Sequence, residues 1–162
     1  MPIAVHLSRR CDGVSAAAVH VWARQILSSF DEDAAELTVS LVDDEEIHRF
    51  NRDYRGKDRP TDVLAFAMRE GPRVAGDEAQ LGDVVISLDT AARQAAQRGT
   101  TLADEVATLL IHGVLHLLGY DHERSAAEAR RMRRKERELR ALISSRPASR
   151  GTKIRRGSAA AR

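Results

Sequence analysis

The stretch HGVLHLLGYDH, residues 112–122, places three histidines at relative positions one, five and eleven. Apolar residues before and within this stretch recur with a period of about 3.6 residues, which predicts a helix packed on a core. On such a helix His112 and His116 lie one turn apart on one face. Gly119 can then end the helix in a left-handed conformation, so the chain can turn and bring His122 back toward the first two histidines.

Three converging imidazoles are a typical ligand set for a transition metal. Neutral imidazole nitrogens suit zinc, and three protein ligands leave the fourth tetrahedral position open for water, as in catalytic sites. A bound zinc ion lowers the pKa of that water to about 7. We therefore predict one Zn²⁺ per chain, held by His112, His116 and His122. The same ligands also accept nickel, cobalt or copper, so another divalent transition metal is an alternative.

The spacing H-x-x-x-H-x-x-G-x-x-H also occurs in metzincin proteases, so a metallohydrolase of peptides or small molecules is one hypothesis. Those proteases carry a glutamate general base directly after the first histidine. Gly113 occupies that position here and can take no proton. A protease would need its base from elsewhere in the chain, and the sequence identifies none.

Two further segments accompany the histidine stretch, namely YRGKDRPTDVLAFAM at residues 54–68 and LGDVVIS at residues 81–87. Together with HGVLHLLGYDH they resemble, in the same order, the signature blocks of the YbeY family of bacterial metal-dependent endoribonucleases, also called rRNA maturation factors. The resemblance covers about residues 51–132. Ala65 stands where that family usually has serine and Ala67 where proline is common, which removes no ligand.

The resemblance implies a single-strand-specific metal-dependent endoribonuclease acting in 16S rRNA 3′-end maturation and ribosome quality control. His112, His116 and His122 match the family's metal triad, and Arg55 matches its functional arginine. A guanidinium is always charged and offers planar donors to phosphate, so Arg55 can hold the scissile phosphodiester near the metal. The implied partners are single-stranded rRNA, ribosomal subunits, and ribosomal or GTPase assembly proteins.

Besides a metallohydrolase of another substrate class, the sequence leaves one more function open, a noncatalytic ribosome-assembly factor in which the metal serves the structure.

Three aspartates, Asp58, Asp62 and Asp121, lie near the motifs. One of these carboxylates could hydrogen-bond the far nitrogen of a ligand histidine. A capping or turn role is the stronger expectation for each, because aspartate often accepts hydrogen bonds from backbone amides at helix starts and turns.

Composition agrees with a small enzyme. The chain has 162 residues, of which 43% are hydrophobic, enough to bury a core in one domain. Its single cysteine, Cys11, excludes an intramolecular disulfide, and its first apolar run is too short for a secretory signal, so we expect a cytoplasmic protein. No stretch approaches the roughly 18 apolar residues of a membrane span, so no membrane contact is expected. Aromatic residues are 4% of the chain, too few for a base-stacking platform.

Hydrophobic patterns predict an α+β domain over residues 1–143. Strands are expected at residues 3–7, 37–41, 63–68 and 83–88, and helices at residues 15–29, after Asp43, at residues 89–98, through the first two histidines, and at residues 125–143. The expected architecture is a mixed sheet of about four strands covered by helices, with the metal-binding helix, which carries HxxxHxxxxxH, closing one face.

Residues 144–162 form a predicted basic tail. This segment has six basic and no acidic residues, so the rest of a chain of net charge +2 carries −4. Glycine, serine, alanine and proline separate its charges, which predicts a disordered arm. Such an arm can add nonspecific, salt-dependent affinity for RNA, or it can be a solvated tail without function, and the sequence favours neither.

Overall fold

The structure, a computed structural model, describes residues 3–69 and 79–145. Along the described chain the elements are β1 (Ile3–Leu7), α1 (Ala16–Ser29), β2 (Glu36–Val42), α2 (Asp44–Arg55), β3 (Val63–Ala67), β4 (Gln80–Ser87), α3 (Leu88–Arg98), α4 (Leu102–Leu117) and α5 (Ala126–Ser145). Each predicted strand and helix is present, with ends shifted by a few residues at most. The α+β class is confirmed.

The strands form one mixed sheet in the order β1-β2-β4-β3. β1 pairs with β2 and β2 with β4 in parallel, whereas β3 lies antiparallel to β4 at the edge. The register between β2 and β4 skips Leu81, and the next residue, Gly82, has a φ of 147°. A Cβ at Gly82 would collide with the carbonyl oxygen of Phe66, so this glycine lets β3 pair closely with β4.

Helices cover both faces of the sheet, as predicted. The larger core lies between the sheet and α1, α3, α4 and α5, and α4 contributes Val106, Leu109, Leu110, Ile111, Val114, Leu115 and Leu117 to it. On the other face α2 covers a smaller cluster that consists of Val42, Ile47, Leu64 and Val85, with Phe50 and Phe66 packed against it. The helix with the first two histidines is therefore anchored by its apolar side against β3 and β4.

Capping residues set where the helices begin and end. Asp43, after which a helix is predicted, caps α2 and accepts a hydrogen bond of 2.9 Å from the backbone N–H of Glu46. Gly99, with a φ of 71°, ends α3, directly after the predicted helix at residues 89–98. Thr101 and Asp104 form a capping box at the start of α4. This box fixes the first turn of the helix that carries the histidines.

The C-terminal helix α5 ends at Ser145, two residues beyond the predicted domain boundary at residue 143. The rest of the predicted tail, residues 146–162, lies outside the described residues, as do residues 70–78 between β3 and β4. Within the described part of the chain, no helix has the length and apolar content needed to cross a bilayer.

Candidate metal centre

The three histidines of the HGVLHLLGYDH stretch converge at the C-terminal end of α4. His112, His116 and His122 each offer one ring nitrogen, and these three atoms lie within 4.8 Å of one another. Nε2 of His112 and Nε2 of His116 are 3.1 Å apart. A tetrahedral ion with nitrogen ligands at about 2.0–2.1 Å would hold two such atoms about 3.3 Å apart. The donor set therefore fits a transition-metal ion.

The backbone turn after α4 explains how the third histidine reaches the other two. Gly119 has a φ of 100°, in the region that favours glycine, and its N–H donates to the carbonyl of His116 at 3.1 Å. The N–H of Tyr120 donates to the carbonyl of Leu115 at 3.0 Å. These two bonds form a Schellman motif, which reverses the chain and brings His122 over the last turn of the helix. The predicted role of Gly119 is confirmed.

Gly113, between the first two histidines, faces the sheet. A Cβ at this position would lie 2.7 Å from Cγ1 of Val84 and 3.4 Å from Cγ2 of Val63. The absence of a side chain lets α4 pack closely on β3 and β4. A glutamate, as in the metzincins, has no room here, so the structure gives a physical reason for the missing base.

The surroundings of His116 favour its neutral imidazole. Burial lowers the pKa of His116, and the nearby rings of His112 and His122 lower it further, against a smaller opposing effect of Asp121. Since a metal binds the neutral form of imidazole, a lowered pKa keeps His116 in its binding form at neutral pH.

Glu136 of α5 is a member of the site that the sequence reasoning missed. Its Oε2 lies 2.9 Å from Nδ1 of His112, and both side chains are 31% exposed. In this pair the Nδ1–H group donates a hydrogen bond to the carboxylate, so the lone pair of Nε2 is directed toward the other two histidines. Glu136 falls four residues after Met132 and three before Leu139, which are both buried. A charged residue that shares the helix face of two buried apolar residues was the sequence signal that could have identified Glu136.

The three aspartates near the motifs have other partners. These include His48 Nε2 for Asp58 at 2.7 Å, the Val63 N–H for Asp62 at 2.8 Å and the Glu123 N–H for Asp121 at 2.9 Å. The expectation of backbone hydrogen bonds is thus confirmed for Asp62 and Asp121. Among residues 3–69 and 79–145, the carboxylate that is hydrogen-bonded to a histidine of the cluster is Glu136, on His112, rather than one of these aspartates.

The histidines line a cleft of about 540 Å³ between the ends of α2 and α4 and strand β3. Arg55, the last residue of α2, lines the same cleft and donates a hydrogen bond from Nη2 to the carbonyl of Ala65. Its guanidinium carbon lies 5.2 Å from the ring centre of Phe66. Further charged residues of the lining are Lys57, Arg59, Asp62, Asp121, Glu123 and Arg124. The structure therefore brings Arg55 to the same cavity as the three imidazoles.

The sequence of this domain matches a known family model, described as Endoribonuclease YbeY, over residues 7–144. This chain belongs to the YbeY endoribonuclease family. The match includes both the cleft arginine and the three histidines, and it confirms the family indicated by the three sequence blocks.

Curated members of the YbeY family are similar over most of this chain. The Endoribonuclease YbeY of Geobacter metallireducens is 46% identical over 144 residues, which cover 88% of this chain and 96% of the relative. That of Syntrophotalea carbinolica is 52% identical over 122 residues, which cover 75% and 81%. These relatives carry the name of a nuclease, and they give no support to a peptide hydrolase or a noncatalytic assembly factor.

The fold is also similar to a solved structure. The solution structure of TM1509 from Thermotoga maritima superposes with a TM-score of 0.63 at 26% sequence identity. The matched residues are 91% of this chain and 92% of the TM1509 chain. The four-stranded sheet and its helices are therefore an arrangement that this YbeY chain shares with an experimentally determined protein.

Proposed function

We propose that this protein is a metal-dependent endoribonuclease that cleaves single-stranded rRNA, with 16S rRNA 3′-end maturation and ribosome quality control as its role. One observation carries the proposal. In a chain of the YbeY family, three imidazoles that fit a metal ion share a cleft with a cluster of arginine and lysine side chains.

The proposed metal ligands are His112, His116 and His122, and the proposed ion is Zn²⁺, one per chain. Three imidazoles leave an open position on a tetrahedral ion, which suits catalysis better than structural support. Such an ion, when bound, supplies Lewis acidity toward a phosphoryl oxygen and lowers the pKa of a coordinated water. Glu136 holds His112 in the tautomer that presents Nε2 to the site.

Arg55 is the proposed phosphate-binding residue. Its contacts with the Ala65 carbonyl and the Phe66 ring hold the guanidinium at the cleft. A guanidinium has five N–H donors, and the bond to Ala65 uses one of them, so others are available to a phosphodiester. Donors fixed in place before the reaction stabilise the charge that develops on phosphate oxygens. Lys57, Arg59 and Arg124 add positive charge to the lining of the same cleft.

The proposed partners follow from the substrate. They are ribosomal subunits that present single-stranded rRNA, together with ribosomal or GTPase assembly proteins. A cytoplasmic location is part of the proposal, because rRNA is processed there in bacteria and Cys11 can form no disulfide within the chain.

The test is cleavage of an end-labelled single-stranded RNA that spans the 16S 3′-end precursor. Wild-type protein is assayed loaded with zinc and after chelation, beside the His116→Ala variant. The His20→Ala variant is the matched control, since it removes a partly buried histidine of α1 outside the cluster. We expect cleavage by zinc-loaded wild type and by His20→Ala, and none after chelation or with His116→Ala.

Other outcomes would decide against the proposal. Equal cleavage by His116→Ala would reveal a contaminating ribonuclease rather than activity of this cleft. An RNA left intact by zinc-loaded wild type, together with unfolding of the His116→Ala variant, would point to an assembly factor with a structural metal. Metal-dependent digestion of a peptide library, with RNA left intact, would indicate a hydrolase of another substrate class.

A further inference from the structure

Helix α5 carries more positive charge than its own acidic residues balance. It has seven basic and three acidic residues. Its three carboxylates are engaged by Arg131 at 3.8 Å from Glu128, Lys135 at 3.2 Å from Glu138, and His112 at 2.9 Å from Glu136. The helix therefore presents a surplus of guanidinium groups.

Part of this surplus lines a groove of about 310 Å³ between α4 and α5. The α4–α5 groove is lined by Thr108, Ile111, Arg133, Glu136, Arg137 and Arg140. Arg133 and Arg137 are exposed, lie one turn apart on the same side of α5, and have no carboxylate partner among residues 3–69 and 79–145. Arg140 differs from them, because it binds Asp104 at 3.0 Å.

The groove adjoins the histidine cleft. Glu136 lines the groove and at the same time binds His112, which lines the cleft. Along α4, Thr108 of the groove lies one turn before His112, a rise of about 6 Å. A strand bound at the histidines can thus continue over Glu136 into the groove.

We propose that the α4–α5 groove binds the backbone of single-stranded RNA beside the scissile position, with Arg133 and Arg137 contacting phosphates. This inference rests on the proposed function, since RNA is its substrate. The guanidinium fork matches phosphate oxygens in geometry and charge. An acidic protein surface could also pair with two arginines, but the continuity of the groove with the histidine cleft favours the nucleic acid that the cleft binds.

The test is RNA binding by the double variant Arg133→Gln, Arg137→Gln. Chelated protein is titrated into a fluorescent single-stranded RNA of mixed sequence at several salt concentrations, so that no cleavage disturbs the measurement. The double variant Arg10→Gln, Arg24→Gln is the matched control. It removes the same charge from two exposed arginines that line neither the cleft nor the groove.

We expect the groove variant to lower the slope of log affinity against log salt by about 1.4, which is the loss of two phosphate contacts. Its affinity at low salt should fall by roughly tenfold, while the control variant binds as wild type does. Equal affinity and slope for all three proteins, including no measurable binding by any of them, would overturn the proposal and leave an acidic protein as the occupant. Zinc-dependent cleavage by wild type tests the proposed function separately, so each can fail without the other.

Discussion

Helix α2 has a polar cluster at each end, and the two clusters differ in how their groups are satisfied. At its N-terminus, Asp44 accepts hydrogen bonds from the hydroxyls of Ser87 at 2.6 Å and Thr90 at 2.7 Å and from the guanidinium of Arg93 at 2.8 Å. In this Asp44 cluster, donors from β4 and α3 meet one acceptor. Each hydrogen bond closes within the protein, so the cluster joins α2 to α3 and β4.

The cleft at the other end of α2 is not closed in this way. Its three imidazoles direct ring nitrogens at one another, and only His112 has a carboxylate partner, Glu136, among the described residues within hydrogen-bond distance. Arg55 uses one donor on the protein and keeps the others for a ligand. A polar cluster whose groups are all satisfied within the protein stabilises the fold, whereas a cluster whose groups stay available can bind a ligand.

Substitution of the cleft arginine should separate activity from stability most strongly. We expect Arg55→Ala to lower the rate of RNA cleavage by about 10²–10³-fold, because removal of one fixed donor to a developing oxyanion has costs of that order. Zinc affinity and the free energy of unfolding should stay close to those of wild type. Single-turnover cleavage, zinc titration and urea unfolding measure the three quantities.

Arg52→Ala is the control for this substitution, because Arg52 lies in the same last turn of α2 and pairs with Asp53 on the surface. Arg55→Lys keeps the charge but loses the planar fork, so it should recover only part of the activity. Full cleavage by Arg55→Ala would remove this residue from the mechanism.

Glu136→Ala should weaken zinc binding by about 10–100-fold, since a ligand histidine then loses the group that orients it. We expect the unfolding free energy of the metal-free protein to change by less than about 1 kcal/mol, because the carboxylate is partly exposed. Competition with a zinc chelator gives the affinity. The control is Glu138→Ala, which removes an exposed carboxylate of the same helix. Equal zinc affinity of the two variants would contradict the orienting role.

The Asp44→Ala variant should lose stability and keep zinc affinity and activity, unlike the cleft variants. Removal of this acceptor leaves the hydroxyls of Ser87, which is buried, and Thr90 without the carboxylate that they bond. The free energy of unfolding should therefore fall by about 1–2 kcal/mol. Zinc affinity and cleavage per folded molecule should not change. Urea denaturation beside Asp53→Ala, which breaks only an exposed ion pair, checks this prediction. Loss of zinc binding in Asp44→Ala would show that the two clusters are coupled.

The smallest expected effect is the pH dependence of the Asp44 cluster. Burial raises the pKa of Asp44, but hydrogen bonds from Ser87, Thr90 and Arg93 outweigh burial, and the pKa is lowered overall. A carboxyl group with a lowered pKa stabilises the fold above its unfolded-state pKa of about 4, and this contribution is lost as pH falls through the lower folded-state value. Asp44→Asn should therefore flatten the stability profile below about pH 4. Urea unfolding at pH values from about 2.5 to about 6, in steps of about half a unit, measures this profile. If the free energy of unfolding of Asp44→Asn depends on pH as that of wild type does, Asp44 does not titrate in this way.

Much of this protein could be predicted from its sequence, because the relevant signals are local. The periodicity before His112, the glycine at position 119 and the caps at Asp43 and Gly99 each depend on residues within one or two turns. The four strands follow from alternation over short runs. The convergence of His116 with its neighbours follows from the same local rules, since a helix and one turn fix it.

Tertiary structure alone decided which distant elements meet. The strand order β1-β2-β4-β3, the bond from Glu136 to a histidine 24 residues earlier, and the Asp44 cluster all join segments that are far apart in the sequence. The α4–α5 groove of Arg133 and Arg137 depends likewise on how two helices pack. Periodicity shows which face of an element is apolar, but the partner of that face is set by the simultaneous packing of all the elements around one core.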